Sequence, residues 1–253
     1  MFWITRSQRG WEDYNLQVGD HCRVEVRESC HNNCRMITGD EVLTSGQSFI
    51  GTISLSHHRA QYLQSIGYCP QFDSIIEVSR SRGGIILSAD CDPKPQVLTG
   101  REMLTLFARI RGLRTAGGVI RREIEKLAEF VDLTEYLDRQ SGLYSGGRQW
   151  RRGNTTDYNT QLTILRLKGN KRKLNVALAL IGRPKVMLLD EPTTGVDPAA
   201  RRKIWETINN IRKSGTSIIL TSHSMEECEA LCDRLAIMVG GTFQCIGGPQ
   251  HIK

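Results

Sequence analysis

The sequence predicts an α/β fold: a mostly parallel sheet flanked by helices, with a small helical subdomain. Three observations carry that reading. Val186-Met-Leu-Leu-Asp190 is a short, almost unbroken apolar run, the pattern of a strand buried on both faces. Ser217 to Thr221 and Leu235 to Val239 also read as strands. Helical patterns stand between these runs, and strands alternating with helices build a sheet covered on both sides.

The elements follow in chain order. Residues 1–34 show neither a sustained period nor a clear turn logic and are expected to be a divergent segment of uncertain fold, ahead of a domain spanning 35–253. Phe49 to Leu55 and Ile66 to Cys69 have the composition of strands. Thr99-Gly-Arg-Glu102 is a capping-box spelling that opens a helix with Met103, Leu106, Phe107 and Ile110 on one face. Ile120, Ile124, Leu127, Ala128 and Val131 form the apolar stripe of the next helix. Lys173 to Ile181 reads as a short buried helix ending at Gly182, which closes a helical subdomain of about 98–182. Asp197 caps and Pro198 opens a helix with Ile204, Trp205, Ile208 and Ile211 inward, stopped by Gly215. Ser224-Met-Glu-Glu227 spells a second capping box, and Gly240-Gly241 a turn after the last strand.

Two blocks break this pattern. Residues 78–96 carry mixed charge, Gly83-Gly84 and Pro93-Lys-Pro95, and read as a loop. Residues 148–169 show no convincing helical period.

Composition excludes several classes. At 253 residues and 39% hydrophobic content the chain supports an ordinary globular core. No stretch approaches the roughly 18 to 20 apolar residues of a membrane span, so no direct span is expected. Met1 to Gly10 lacks the apolar core of a secretory signal, and a cytosolic chain is expected. The net charge of +7 is dispersed along the helices, which argues against nucleic acid as a partner. Eight cysteines show no paired framework and are expected as reduced thiols. His21, Cys22, Cys30, His31 and Cys34 cluster, but their spacing fits no common zinc finger. Cys228 and Cys232 stand one helical turn apart, as on a shared buried face.

The chemistry concentrates after the Val186 strand. Adjacent carboxylates at a strand end suit one acid directed to Mg²⁺ and another to a water facing a phosphate. Such a pair works beside a phosphate cradle of the form G-x-x-x-x-G-K-[ST], and that pattern is absent from the sequence.

Five motifs in order resemble the nucleotide-binding domain of ABC transporters. Tyr68-Cys-Pro-Gln71-Phe-Asp is similar to the Q-loop, and Tyr144-Ser145-Gly146-Gly147 to the start of the signature. Val186 to Pro192 is similar to the Walker B strand, Gly195-Val-Asp197 to the D-loop, and His223 to the switch histidine. Ile66-Gly-Tyr-Cys-Pro-Gln-Phe-Asp and Asn170-Lys-Arg-Lys-Leu-Asn resemble spellings of the A subfamily, whose members are lipid transporters. Thr221-Ser-His-Ser-Met-Glu-Glu-Cys and Pro249-Gln-His-Ile-Lys look like the second nucleotide-binding domain of that subfamily.

The resemblance implies a P-loop NTPase-like fold with an incomplete N-terminal part, and ATP and Mg²⁺ as cofactors. It implies that Asp190 holds Mg²⁺, that Gln71 completes the metal and water site, that Glu191 acts as general base and that His223 contacts the γ-phosphate. Ser145, Gly146, Gly147 and Asp197 are implied as nucleotide-binding residues. The implied partners are a second ABC nucleotide-binding domain and the transmembrane domains of a lipid transporter. The implied location is the cytoplasmic face of a membrane, reached through the parent transporter.

The sequence departs from that pattern at three places. The phosphate loop belongs just before Arg35, where Glu28-Ser-Cys-His-Asn-Asn-Cys34 offers no lysine and no glycine pair. The block 78–96 follows the Q-loop, and the block 148–169 splits Gly147 from Asn170. Two readings stay open: an ATP-hydrolysing transporter domain coupled to lipid transport, or a non-hydrolytic remnant or imperfect gene-model product unable to bind ATP by itself.

Overall fold

The computed structural model describes residues 16–18, 22–24, 30–41, 47–71, 78–81, 84–87, 96–113, 118–140, 158–239 and 242–252. They divide into two units. The first comprises Met1–Gln71, Arg183–Pro192 and Trp205–Lys253, the second Phe72–Gly182 and Thr193–Ile204.

The first unit is built on a parallel sheet. Strand β9 (Val186–Asp190) lies between β5 (Ile66–Cys69) and β10 (Ser217–Thr221), both parallel to it. All five residues of β9 are buried, which explains why its sequence has no polar alternation before Asp190. Ile37, Tyr62, Leu188, Ile219 and Ala236 belong to the core around it. The helix α1 (Cys30–Thr38) contacts β9.

Short antiparallel pieces complete this unit. β1 (Leu16–Val18), β2 (Cys22–Val24), β3 (Ser48–Ile50) and β4 (Ile53–Ser54) form one sheet in that order. Part of the segment 1–34 is therefore structured: it supplies β1, β2 and the start of α1. The single strand expected from Phe49 to Leu55 is instead a hairpin, because Ile50 pairs with Ile53 around Gly51, whose φ of 62° suits glycine. β11 (Leu235–Val239) and β12 (Thr242–Gly247) form a ribbon that pairs Val239 with Thr242, with Gly240-Gly241 between them.

The second unit is mainly helical. The capping box at Thr99 forms: its hydroxyl accepts Glu102 N–H and its own N–H donates to the Glu102 carboxylate. The helix α3 (Gly100–Ile110) buries Met103, Leu104 and Ala108, while Leu106 and Phe107 are only partly buried and Ile110 is 70% exposed. The expected stripe was thus rotated. α4 (Val119–Phe130) buries Ile120, Ile124 and Ala128 as its period predicts.

Two expectations for the inserted blocks are corrected. α5 runs from Tyr158 to Leu180, so residues 158–169 are helical and continuous with the buried helix predicted from Lys173. Gln161, Leu162, Leu165, Arg166, Leu167 and Lys168 are good helix formers by intrinsic propensity. The block 78–96 is not simply a loop: β6 (Val78–Ser81), β7 (Gly84–Leu87) and β8 (Gln96–Val97) form an antiparallel sheet. Ser81 pairs with Gly84, leaving Arg82-Gly83 between the strands, and Ile85 and Ile86 have strong strand preference.

Candidate functional site

Strand register assembles the site in the first unit. β5 sets Cys69 opposite Leu189, and two positions further along each strand come Gln71 and Glu191. There Gln71 Nε2 donates to Glu191 Oε2 at 2.6 Å. β10 sets Thr221 opposite Asp190, and the Thr221 hydroxyl donates to Asp190 Oδ1 at 2.5 Å. Glu191 N–H donates to the Thr221 carbonyl at 3.0 Å, which extends the ladder past the strand end.

His223 closes the group from the next loop. Its Nε2 meets Glu191 Oε1, so one carboxylate lies between an amide and an imidazole. The Glu191 side chain is 5% exposed and that of His223 is 68% exposed, which gives a sheltered acid facing an accessible ring. Glu191 also has a φ of 44°, an uncommon and costly conformation for a residue with a Cβ.

Burial governs the neighbours. Cys34, completely buried, has its thiol pushed well above the usual range by desolvation, with a further contribution from Asp190. Desolvation likewise raises the Tyr68 phenol, followed by the influence of Cys34 and Asp190. A neutral Cys34 thiol is neither a ready nucleophile nor a ready metal ligand. Among the described residues no group of three or more His, Cys, Asp or Glu side chains is placed to hold a metal ion. His21 and the side chains of Cys22, Cys30 and His31 lie outside the described residues.

The remaining expected site residues fall elsewhere. Asp197 is in the second unit, where Oδ2 accepts Ala200 N–H at 2.9 Å and caps α6 (Pro198–Lys213) as its sequence predicts. Ser145, Gly146 and Gly147 lie outside the described residues. The sequence predicts no site role for Thr221, and for Glu227 only that of a capping-box partner. A polar Thr-Ser-His run directly after an apolar strand was the available signal for Thr221.

Among the described residues only one side of a nucleotide site is assembled. Asp190, Glu191, Gln71 and His223 bring two carboxylates, an amide and an imidazole together, a set suited to water and a hydrated cation, whereas a triphosphate also calls for several amide donors and a cation at its β- and γ-phosphates. By sequence, Glu28 to Cys34 holds no lysine and no glycine. Mg²⁺ completes its shell largely with phosphate oxygens and water, so it depends on the same grip.

Comparison with known proteins gives the chain its relatives. The chain is 41% identical over 219 residues to the phospholipid-transporting ATPase ABCA3 of Mus musculus, an alignment covering 87% of this chain and 10% of that protein. It is 44% identical over 223 residues to the retinal-specific phospholipid-transporting ATPase ABCA4 of Homo sapiens, covering 87% of this chain and 8% of that protein. The chain is homologous to the A-subfamily ABC transporters. It spans about a tenth of the length of these A-subfamily relatives.

The fold agrees. The structure of cbiO1 from Clostridium perfringens, described as part of the ABC transporter complex cbiONQ, superposes with a TM-score of 0.63 at 18% identity, covering 87% of this chain and 73% of that chain. The architecture is α/β and P-loop NTPase-like. A family model described as "AAA domain, putative AbiEii toxin, Type IV TA system" matches residues 121–229.

Proposed function

We propose that this chain is an ATPase domain of A-subfamily type that contributes the water-activating side of a nucleotide site and lacks a phosphate grip of its own. One observation carries the reading: Glu191 lies between Gln71 and His223 at the end of a buried strand. In this role Glu191 would orient and polarise a water, His223 would stand toward the γ-phosphate, and Asp190, held by Thr221, would be a ligand for Mg²⁺. Phosphoryl transfer rests on positioning and charge stabilisation, so a chain without the cradle hydrolyses little or no ATP alone.

The lipid connection comes from the relatives, two of which are named as phospholipid-transporting ATPases. The proposed whole-protein activity is lipid movement across a membrane, driven with a second nucleotide-binding domain and transmembrane domains, this chain standing at the cytoplasmic face. Asp197, Ser145, Gly146 and Gly147 are the proposed contacts to a shared nucleotide. A non-hydrolytic remnant is the second reading, favoured by Glu28 to Cys34 standing where the phosphate loop belongs.

Grafting a G-x-x-x-x-G-K-[ST] loop just before Arg35 tests the assignment. The grafted chain is expected to bind Mg²⁺·ATP and hydrolyse it, and Glu191→Gln in that background to bind without turnover. Unchanged turnover in the Glu191→Gln graft would remove Glu191 from its assigned role.

A further inference from the structure

A buried carboxylate stands behind the histidine loop. Glu227, at the third position of α7 (Met225–Leu231), is only 2% exposed. Its Oε1 accepts the Trp205 indole N–H at 3.1 Å, and its Oε2 accepts the Ser222 hydroxyl at 2.5 Å. Ser222 Oγ accepts Ser224 N–H at 3.0 Å, and Ser224 Oγ accepts Glu227 N–H at 3.4 Å. These bonds close a ring through the residues on both sides of His223.

Helix capping alone does not account for this arrangement. In a capping box Glu227 would turn back to Ser224 N–H, but Ser222 Oγ accepts that N–H and the carboxylate faces inward. On the preceding side Thr221 is tied to Asp190 and Glu191. His223 is therefore flanked by fixed residues, while its own exposed ring reaches Glu191.

We propose that Glu227, anchored by Trp205, is a positioning residue that holds the His223 loop so that the imidazole stays against Glu191. The proposal rests on reading Glu191 and His223 as the water-activating pair, and deepens it. Charge-assisted hydrogen bonds inside a buried network restrict a short loop far more than solvent-exposed ones do. Removing the carboxylate frees the Ser222 hydroxyl, whose oxygen holds Ser224 N–H, and the imidazole loses its fixed approach.

The test uses the full chain labelled with ¹⁵N-histidine, with the His223 resonance assigned through His223→Ala. Glu227→Gln and Trp205→Phe are expected to shift or broaden that resonance by more than its linewidth. Trp205→Phe keeps an aromatic ring in place and gives the same readout should Glu227→Gln unfold. Arg212→Met serves as the structural control, since Arg212 bonds the Leu231 carbonyl and Asp233 beyond the far end of α7, and it is expected to leave His223 unmoved. An unchanged His223 signal in both test variants, or an equal change in Arg212→Met, would overturn the proposal. No nucleotide enters the measurement. A moved signal beside a failed graft experiment keeps the positioning and removes the pair's role, whereas the reverse pattern removes Glu227 alone.

Discussion

Gln71 Nε2 donates to Glu191 Oε2 across 2.6 Å from 120 positions away in the chain. Only the parallel register of β5 against β9 brings them together, because Cys69 pairs with Leu189 and each chain continues two residues beyond. A one-residue slip would turn every buried side chain of β9 toward the opposite face and separate this pair. The site is a property of the sheet, and its variants report on the sheet's end.

Glu191 carries backbone strain. Its φ of 44° costs a residue with a Cβ about 1–2 kcal/mol, a cost that glycine avoids. Glu191→Gly is therefore expected to be more stable than Glu191→Ala by about 1 kcal/mol, the reverse of the usual order. Urea unfolding of the two variants checks this, and an alanine variant as stable as glycine would show that the conformation relaxes.

Thr221 is expected to matter through Asp190. Both are buried, at 0% and 1% exposure, and the hydroxyl is a donor to Oδ1. Thr221→Val keeps the shape and removes that donor, which is expected to cost about 1–3 kcal/mol in a denaturation experiment. A loss below the error of the measurement would mean that Asp190 finds an equivalent donor.

Much of this was legible in the sequence, and the misses have physical causes. The apolar run from Val186 to Leu189 announces a strand buried on both faces, and Ile120, Ile124 and Ala128 announce the inner face of α4. Gln71, Glu191 and His223 were readable as motif residues, but their contact depends on strand register. Residues 158–169 escaped because their helix lacks an amphipathic stripe, and Val78 to Leu87 because Gly83-Gly84 drew attention to the turn instead of the strands beside it. Ser224 caps α7 as its spelling predicts, but the Glu227 carboxylate turns inward, because Trp205 and Ser222 are its partners.

An ion pair in the second unit gives a pH dependence. Lys173, 7% exposed, donates to the Asp132 carboxylate at 2.8 Å, and Lys203 reaches the same oxygen at 3.2 Å. The Lys173 hydrogen bond is the main cause holding the Asp132 carboxyl below its ordinary range. A depressed folded value contributes stability that is present above the unfolded value of about 3.9 and lost as pH falls through the folded one. Asn tolerates the φ of 55° at this position, so Asp132→Asn isolates the charge. Because Asp132 is 70% exposed, the variant is expected to be weaker by about 1 kcal/mol or less at neutral pH. The two unfolding midpoints are expected to converge below about pH 4, and a constant gap would contradict the assignment.

Calorimetric titration of the native chain with Mg²⁺·ATP tests the half-built site most directly. The account predicts no saturable binding through the micromolar range, because Glu191, Gln71 and His223 assemble without a phosphate cradle beside them. Micromolar, Mg²⁺-dependent affinity in the unaltered chain would contradict it.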